Sequence, residues 1–196
     1  MSILTQLETV AQDLNQLQVS WALIGALAVS VRTESRSTRD IDVALAVSTT
    51  EAQDDLVHRL SVLGYRNEQL LMHVLPVRKL GVRLEIRGDN QFPLALDLLF
   101  SSSGIEAEIL AAASRVEMFP GLFVPVASRG HLIAMKVLSQ NETDRLRDRV
   151  DLQQLLYQAS AADIAIAEAG LKLIAQRGFG RDKDLLADLR NFLKAL

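Results

Sequence analysis

Two carboxylates stand two residues apart in Arg39-Asp40-Ile41-Asp42-Val43, at the head of an apolar run that continues through Val47. Such a run reads as a buried strand. Side chains alternate across a strand, so Asp40 and Asp42 share one face. Neighbouring carboxylates in apolar surroundings repel, and leaving them unpaired is costly. A divalent cation resolves that cost. Mg²⁺ suits the pair, because it takes oxygen ligands and is commonly held by one or two carboxylates together with substrate phosphates. The plain alternative is that Asp40 ends a loop and Asp42 faces solvent.

Asp97 adds a third candidate. It is the one charge in the apolar stretch Leu94-Ala95-Leu96-Asp97-Leu98-Leu99-Phe100. An isolated buried carboxylate is rarely kept without a partner. A sheet edge, or an arginine such as Arg83, would satisfy it. A strand lying beside that of Asp40 and Asp42 would instead bring it to the same ion. Three carboxylates can hold two divalent ions about 4 Å apart, the arrangement used in nucleotide polymerisation.

Upstream, Val19-Ser20-Trp21-Ala22-Leu23-Ile24-Gly25 reads as a short strand ending in glycine, and a helix follows from Ala26 to about Val31. Strand, glycine, helix is a geometry in which backbone N–H groups can receive a phosphate. An ordinary tight turn has the same spelling. The polar segment 32–39 then carries Arg32, Arg36 and Arg39 into Asp40. These arginines either neutralise the carboxylates or hold an anionic substrate.

The elements that must position these groups follow from periodicity. Leu4, Leu7, Val10, Leu14 and Leu17 mark an amphipathic helix over 3–17. Residues 51–63 form another, with Thr50 as N-cap, Gln53 as its capping-box partner and Gly64 as the stop. A strand is expected near 70–75, and the alternation of 82–87 marks a half-exposed strand. Residues 88–91 carry a turn signal. A short helix is expected over 105–113, and two strands, 115–119 and 122–126, surround the Pro120-Gly121 turn. From Ser128 onward the period is helical. Helices are expected from the Ser128 N-cap through Leu138, over 144–158, from the Ser160 capping box to about Arg177, and over 181–196, with Gly178-Phe179-Gly180 as a break. The chain thus divides into an α/β part, 1–126, and a helical part, 127–196.

Composition agrees with a folded enzyme-sized unit. The 196 residues are 49% hydrophobic but only 5% aromatic, so the core is aliphatic. There is no cysteine, which excludes disulfides and thiolate metal sites and fits a reducing cytoplasm. The net charge of −3, from 21 basic and 24 acidic residues, gives no support to a protein that coats nucleic acid. No leader-like start and no bilayer-length apolar run is present, so a cytoplasmic chain without membrane partners is expected.

In order, the chain carries Trp21-Ala22-Leu23-Ile24-Gly25-Ala26-x-Ala28, Arg36-x-Thr38-x-Asp40-Ile41-Asp42, Leu96-Asp97-Leu98-Leu99, His131-Leu132-Ile133-Ala134-Met135-Lys136 and Arg147-Asp148-x-x-Asp151-Leu152. This set resembles the nucleotidyltransferase superfamily with the DNA polymerase β fold, and within it the AbiEii-type toxins of bacterial toxin–antitoxin pairs. The likeness runs over about residues 20–156. It implies an α+β fold, a mixed sheet with flanking helices followed by a C-terminal helical bundle. It implies that Asp40, Asp42 and Asp97 ligate two Mg²⁺ ions and that Asp97 can take a proton from the attacking hydroxyl. Lys136 would contact the triphosphate, and Asp151, with Arg147 and Asp148 nearby, would complete the site. Gly25 and Ala26 would lie under the nucleotide, with Arg36, Thr38, Arg39 and Arg147 beside it. The chain departs from the pattern at Ala26, where the family usually has a second glycine or a serine. His131 is given no chemistry.

The resemblance implies transfer of a nucleoside monophosphate from an NTP to a hydroxyl of RNA, especially a tRNA 3′ end, or of a protein, with a cognate antitoxin as partner. Two other readings stand beside it. Aminoglycoside and lincosamide adenylyltransferases are similar too, and a carboxylate-rich cleft suits a cationic drug. A binding module that keeps the fold without turnover has Ala26 as its support, while the three carboxylates speak against it.

Overall fold

Ile41, Val43, Leu96 and Leu98 are almost wholly removed from water, and they explain how the sheet is centred. In the computed structural model, β2 (Asp40–Leu45) and β5 (Ala95–Leu99) run parallel, with Ile41 opposite Leu96, Asp42 opposite Asp97 and Val43 opposite Leu98. The apolar members of both strands therefore leave one face together, and the carboxylates leave the other. On the far side of β2 lies β1 (Trp21–Ile24), antiparallel, with Leu23 opposite Val43 and Ile24 opposite Asp42. The structure describes residues 2–34, 37–73, 78–86, 94–140 and 146–196, with side chains for all of these except 67, 68, 72, 73, 78, 79, 146 and 147.

Four further strands, β3 (Arg66–His73), β4 (Arg78–Glu85), β6 (Ser114–Phe119) and β7 (Leu122–Val126), extend the sheet. The order is β3-β4-β5-β2-β1-β7-β6. β1 and β7 are parallel, as are β2 and β5; the other neighbours are antiparallel. After β2 the chain crosses through a helix, lays down the β3–β4 pair at one edge, and returns as β5. A parallel neighbour requires such a long connection.

Helices α1 (Ile3–Gln16), α2 (Gly25–Arg32), α3 (Thr50–Val62) and α4 (Glu106–Ala111) flank the sheet, and α5 (Arg129–Ser139), α6 (Leu146–Tyr157), α7 (Ala161–Gln176) and α8 (Leu185–Lys194) follow it. The result is the α+β architecture expected, a mixed sheet succeeded by helices. Leu7, Val10, Ala11 and Leu14 form the buried stripe of α1, which Ser2 caps. α2 packs on β1 and β2 and also on α5 and α6, so it joins the sheet to the later helices. Arg129 ties the same junction, bonding Asp163 at 3.2 Å and the Arg32 carbonyl at 3.0 Å. No helix among the described residues is long and apolar enough to cross a membrane.

Some boundaries differ from the sequence reading. Thr49, not Thr50, caps α3, accepting from the Ala52 N–H at 3.2 Å. Gln53 does not close a capping box; its amide donates to the Val47 carbonyl at 3.0 Å. α8 begins at Leu185 rather than 181, because Arg181 and Asp182 take left-handed φ values of 54° and 57° and Asp184 supplies the cap. The strand expected near 70–75 is β3, which starts at Arg66 and whose last expected residues lie outside the described ones. β4 starts earlier than 82, at Arg78. The turn at 88–91 and the first residues of the 144–158 helix lie outside the described residues.

Candidate active site

The parallel pairing of β2 with β5 brings Asp42 and Asp97 side by side on strands about 4.8 Å apart. Asp40, two residues back, leaves the same face. Three carboxylates from two distant segments thus leave one face of neighbouring strands; alternation accounts for Asp40 and Asp42, and the strand pairing adds Asp97. Asp97 is 7% exposed, so its charge is not dissipated in water. Burial is the main cause that pushes the Asp42 carboxyl up to about 7, followed by the charges of Asp97 and Asp40; Lys136 and Arg83 pull it the other way.

Gly25 closes β1 and opens α2 with a φ of +63°. Its neighbour Ile24 pairs with Asp42 across the sheet, so the glycine backbone passes directly beneath that carboxylate. A Cβ on Gly25 would lie 2.0 Å from Asp42 Oδ2. Glycine is therefore required twice here, for the left-handed backbone and for the close approach. The Ile24 cap gives α2 no side-chain hydrogen bond. Ala26, the departure from the family pattern, is buried. Thr38 orients the entry to β2, its hydroxyl accepting from the Asp40 N–H at 3.3 Å.

Arg83 on β4 faces Asp97 in register. Its fork is bidentate: Nε donates to Asp97 Oδ1 at 2.8 Å and Nη2 to Oδ2 at 2.7 Å. Nη2 also lies 3.9 Å from Asp40 Oδ1. The Asp97 bond raises the Arg83 pKa further above its already high value. Sequence reasoning weighed this pair only as an alternative to a metal role for Asp97. The signal was the alternation Val82-Arg83-Leu84, which puts one cation on the polar face of a strand.

The later helices supply a second charged group. Lys136 on α5 donates from Nζ to Asp148 Oδ1 at 2.6 Å and to Asp151 Oδ2 at 2.7 Å on α6. The Asp151 side chain is wholly buried and those of Lys136 and Asp148 nearly so. Lys136 is also close enough to Asp42 to favour its ionised form. The lysine and Asp151 are thus brought to the site, with the lysine clasped between two carboxylates. The spacing of Asp148 and Asp151, one helical turn apart, puts both on one face of α6.

The arginines of 32–39 separate. Arg32 neither balances the acidic cluster nor reaches outward; it donates to the carbonyls of Val126 and Ala127 at 3.1 and 3.0 Å and to Ser114 Oγ at 2.7 Å. Arg39 is exposed at the mouth of β2. Arg36 and the Arg147 side chain lie outside the described residues. His131 is buried, with Nδ1 2.8 Å from Ser128 Oγ, and burial lowers its pKa.

The donor set is all oxygen, which fits a hard divalent cation rather than zinc. Arg83 holds both Asp97 oxygens and also lies 3.9 Å from Asp40 Oδ1. Among the described residues no group of three His, Cys, Asp or Glu side chains is already spaced to hold a metal ion. It is the all-oxygen donor chemistry of the set that fits such an ion.

Known proteins share this fold. A crystal structure of an antigenic nucleotidyltransferase-like protein from Paracoccidioides brasiliensis is similar, at 19% identity and a TM-score of 0.55, covering 95% of this chain and 89% of that one. The antibiotic-resistance factor ANT(2'')-Ia is similar at 18% identity and a TM-score of 0.57, covering 86% and 90%. The lincosamide antibiotic adenylyltransferase LnuA, with lincomycin bound, is similar at 17% identity and a TM-score of 0.50, covering 79% and 97%. At these identities the likeness is one of fold. No curated protein matches the sequence significantly. The model of the nucleotidyl transferase AbiEii toxin family, of type IV toxin–antitoxin systems, matches residues 10–195. With nearly the whole chain inside that match and the nucleotidyltransferase fold beneath it, this protein belongs to the AbiEii family of nucleotidyltransferases.

Proposed function

We propose that the chain transfers a nucleoside monophosphate from an NTP to a hydroxyl of RNA, foremost a tRNA 3′ end, in a reaction that depends on Mg²⁺. The observation that carries this reading is the in-register pairing of Asp42 with Asp97, with Asp40 on the same face. When bound at Asp40, Asp42 and Asp97, divalent ions supply charge neutralisation of the phosphates and polarisation of the reacting phosphoryl group. Gly25 and the start of α2 take a phosphate against backbone N–H groups. Asp97 receives the proton of the acceptor hydroxyl as its oxygen bonds to the α-phosphorus. The bond to the β-phosphate oxygen breaks, and pyrophosphate leaves. Lys136 turns part of its charge from Asp148 and Asp151 to the leaving phosphates. Positioning and charge placement are the main resources of such a transfer.

In this reading the helical part, 127–196, forms the wall opposite the sheet. Arg36, Thr38, Arg39 and Arg147 border the nucleotide. The protein acts as the toxin of a pair in the cytoplasm, held in check by a cognate antitoxin. A protein hydroxyl is the other acceptor to be considered.

The experiment incubates the chain with each α-labelled NTP, Mg²⁺ and total tRNA, beside an Asp40→Ala/Asp42→Ala variant. Label is expected on tRNA with at least one NTP, lost with the double substitution and with EDTA. In parallel incubations with an aminoglycoside, a lincosamide or a protein extract, label there and none on RNA would replace the acceptor. Transfer undiminished in the double variant would overturn the site.

A further inference from the structure

We propose that Arg83 is a built-in counter-ion that stands in the position of the divalent cation, so that the ion must displace it from Asp97 to bind. The proposal rests on the nucleotidyl-transfer reading of the carboxylate cluster. Three observations carry it. Both Asp97 oxygens accept from Arg83, at 2.8 and 2.7 Å. The same Nη2 that bonds Asp97 lies 3.9 Å from Asp40 Oδ1, between the two carboxylates that a shared cation would bridge. The Arg83 side chain is 35% exposed, whereas that of Asp97 is 10% exposed, so the guanidinium has water to move into and the carboxylate does not.

Lone pairs are not the obstacle. An ionised carboxylate has about four acceptor positions, and Arg83 uses two of them. Charge is the obstacle. Mg²⁺ sits about 2.1 Å from its oxygen ligands. A guanidinium nitrogen 2.7 Å from the same oxygen would then face the ion across a short, poorly screened gap. The two cations compete for one carboxylate. Without the ion, Arg83 compensates Asp97 and steadies the cluster against the repulsion that already disturbs Asp42. With the ion, Asp97 changes partners. The exchange lowers affinity for the bare ion and favours its arrival together with a triphosphate, whose charge can receive the released guanidinium.

The test measures Mn²⁺ binding by electron paramagnetic resonance on the full chain without nucleotide, for wild type, Arg83→Gln and Arg83→Lys. Arg83→Gln is expected to bind Mn²⁺ roughly tenfold more tightly, about 1.4 kcal/mol. Arg83→Lys should fall between, because a point charge cannot fork both oxygens. Thermal melting gives a second readout: the metal-free Arg83→Gln protein should melt below wild type and gain more from Mn²⁺. If Arg83→Gln does not fold, Arg83→Lys alone carries the test. Equal or weaker Mn²⁺ binding by the folded variants overturns the competition, as does absence of binding in all three. Failure of the underlying reading is seen separately, as tRNA labelling that survives loss of Asp40 and Asp42.

Discussion

Gly25 and Asp42 are locked together: the glycine has no Cβ because Asp42 Oδ2 occupies the place, 2.0 Å from where that atom would be. The backbone turn that delivers α2 to the site and the carboxylate that gives the site its charge are therefore one structural unit. Anything larger at Gly25 moves one of them.

Gly25→Ala tests the unit directly. The left-handed φ alone costs an alanine roughly 1–2 kcal/mol, and the clash with the carboxylate adds to it. We expect at least that loss of stability in urea denaturation. Label transfer should fall by about a hundredfold or more, since an ångström of misplacement suffices for that. A folded Gly25→Ala protein with wild-type transfer would separate the turn from the chemistry.

Asp42 makes stability depend on pH in an unusual sense. Its folded pKa is raised, to about 7 from an ordinary 3.8, so the folded state holds the proton more tightly than the unfolded one. That contribution to stability is complete below about pH 4 and is lost as the pH rises through about 7. Asp42→Asn has no such loss. In EDTA at pH 8 it should be more stable than wild type by roughly 1–3 kcal/mol in urea denaturation, with the gap closing toward pH 4. It should also be inactive, a site that gives up stability for function. A variant less stable than wild type at pH 8 would contradict the repulsion described here.

Lys136 and Asp151 form a buried pair, and removing the lysine takes away the cation that Asp148 and Asp151 share. Asp151 is wholly buried, so Lys136→Met should destabilise the chain by about 3–5 kcal/mol. Adding Asp151→Leu removes the buried carboxylate and should recover a large part of that loss without recovering transfer. A double-mutant cycle in chemical denaturation reads the coupling. Additive effects would show that other neighbours compensate Asp151 without the lysine.

Alternation and isolation made much of the site legible in the sequence. Asp40 and Asp42 had to share a face because two residues separate them on a strand, and Asp97 stood out as one charge among apolar neighbours. Gly25 was legible as a strand end before a helix. The helix caps at Ser128 and Ser160 were legible because capping is local, decided within four residues. Where two hydroxyls compete, as at Thr49 and Thr50, the sequence is ambiguous, and the orientation of the entering chain chose the first.

What local spelling could not contain is which strands lie side by side. Asp42 and Asp97 are far apart in sequence, and only the return of β5 beside β2 makes them neighbours. The same register decided that Arg83 meets Asp97 from the other side of β5, turning an ordinary half-exposed arginine into the partner of the third carboxylate. Packing of α6 on α5 likewise turned a helical charge pattern into a clasp around Lys136. The sequence by itself determined the chemistry available and the face each group leaves by, because side-chain type and strand period are local. The tertiary structure alone decided which charges compensate one another, because that depends on non-local pairing and on exclusion of water from the space between strands.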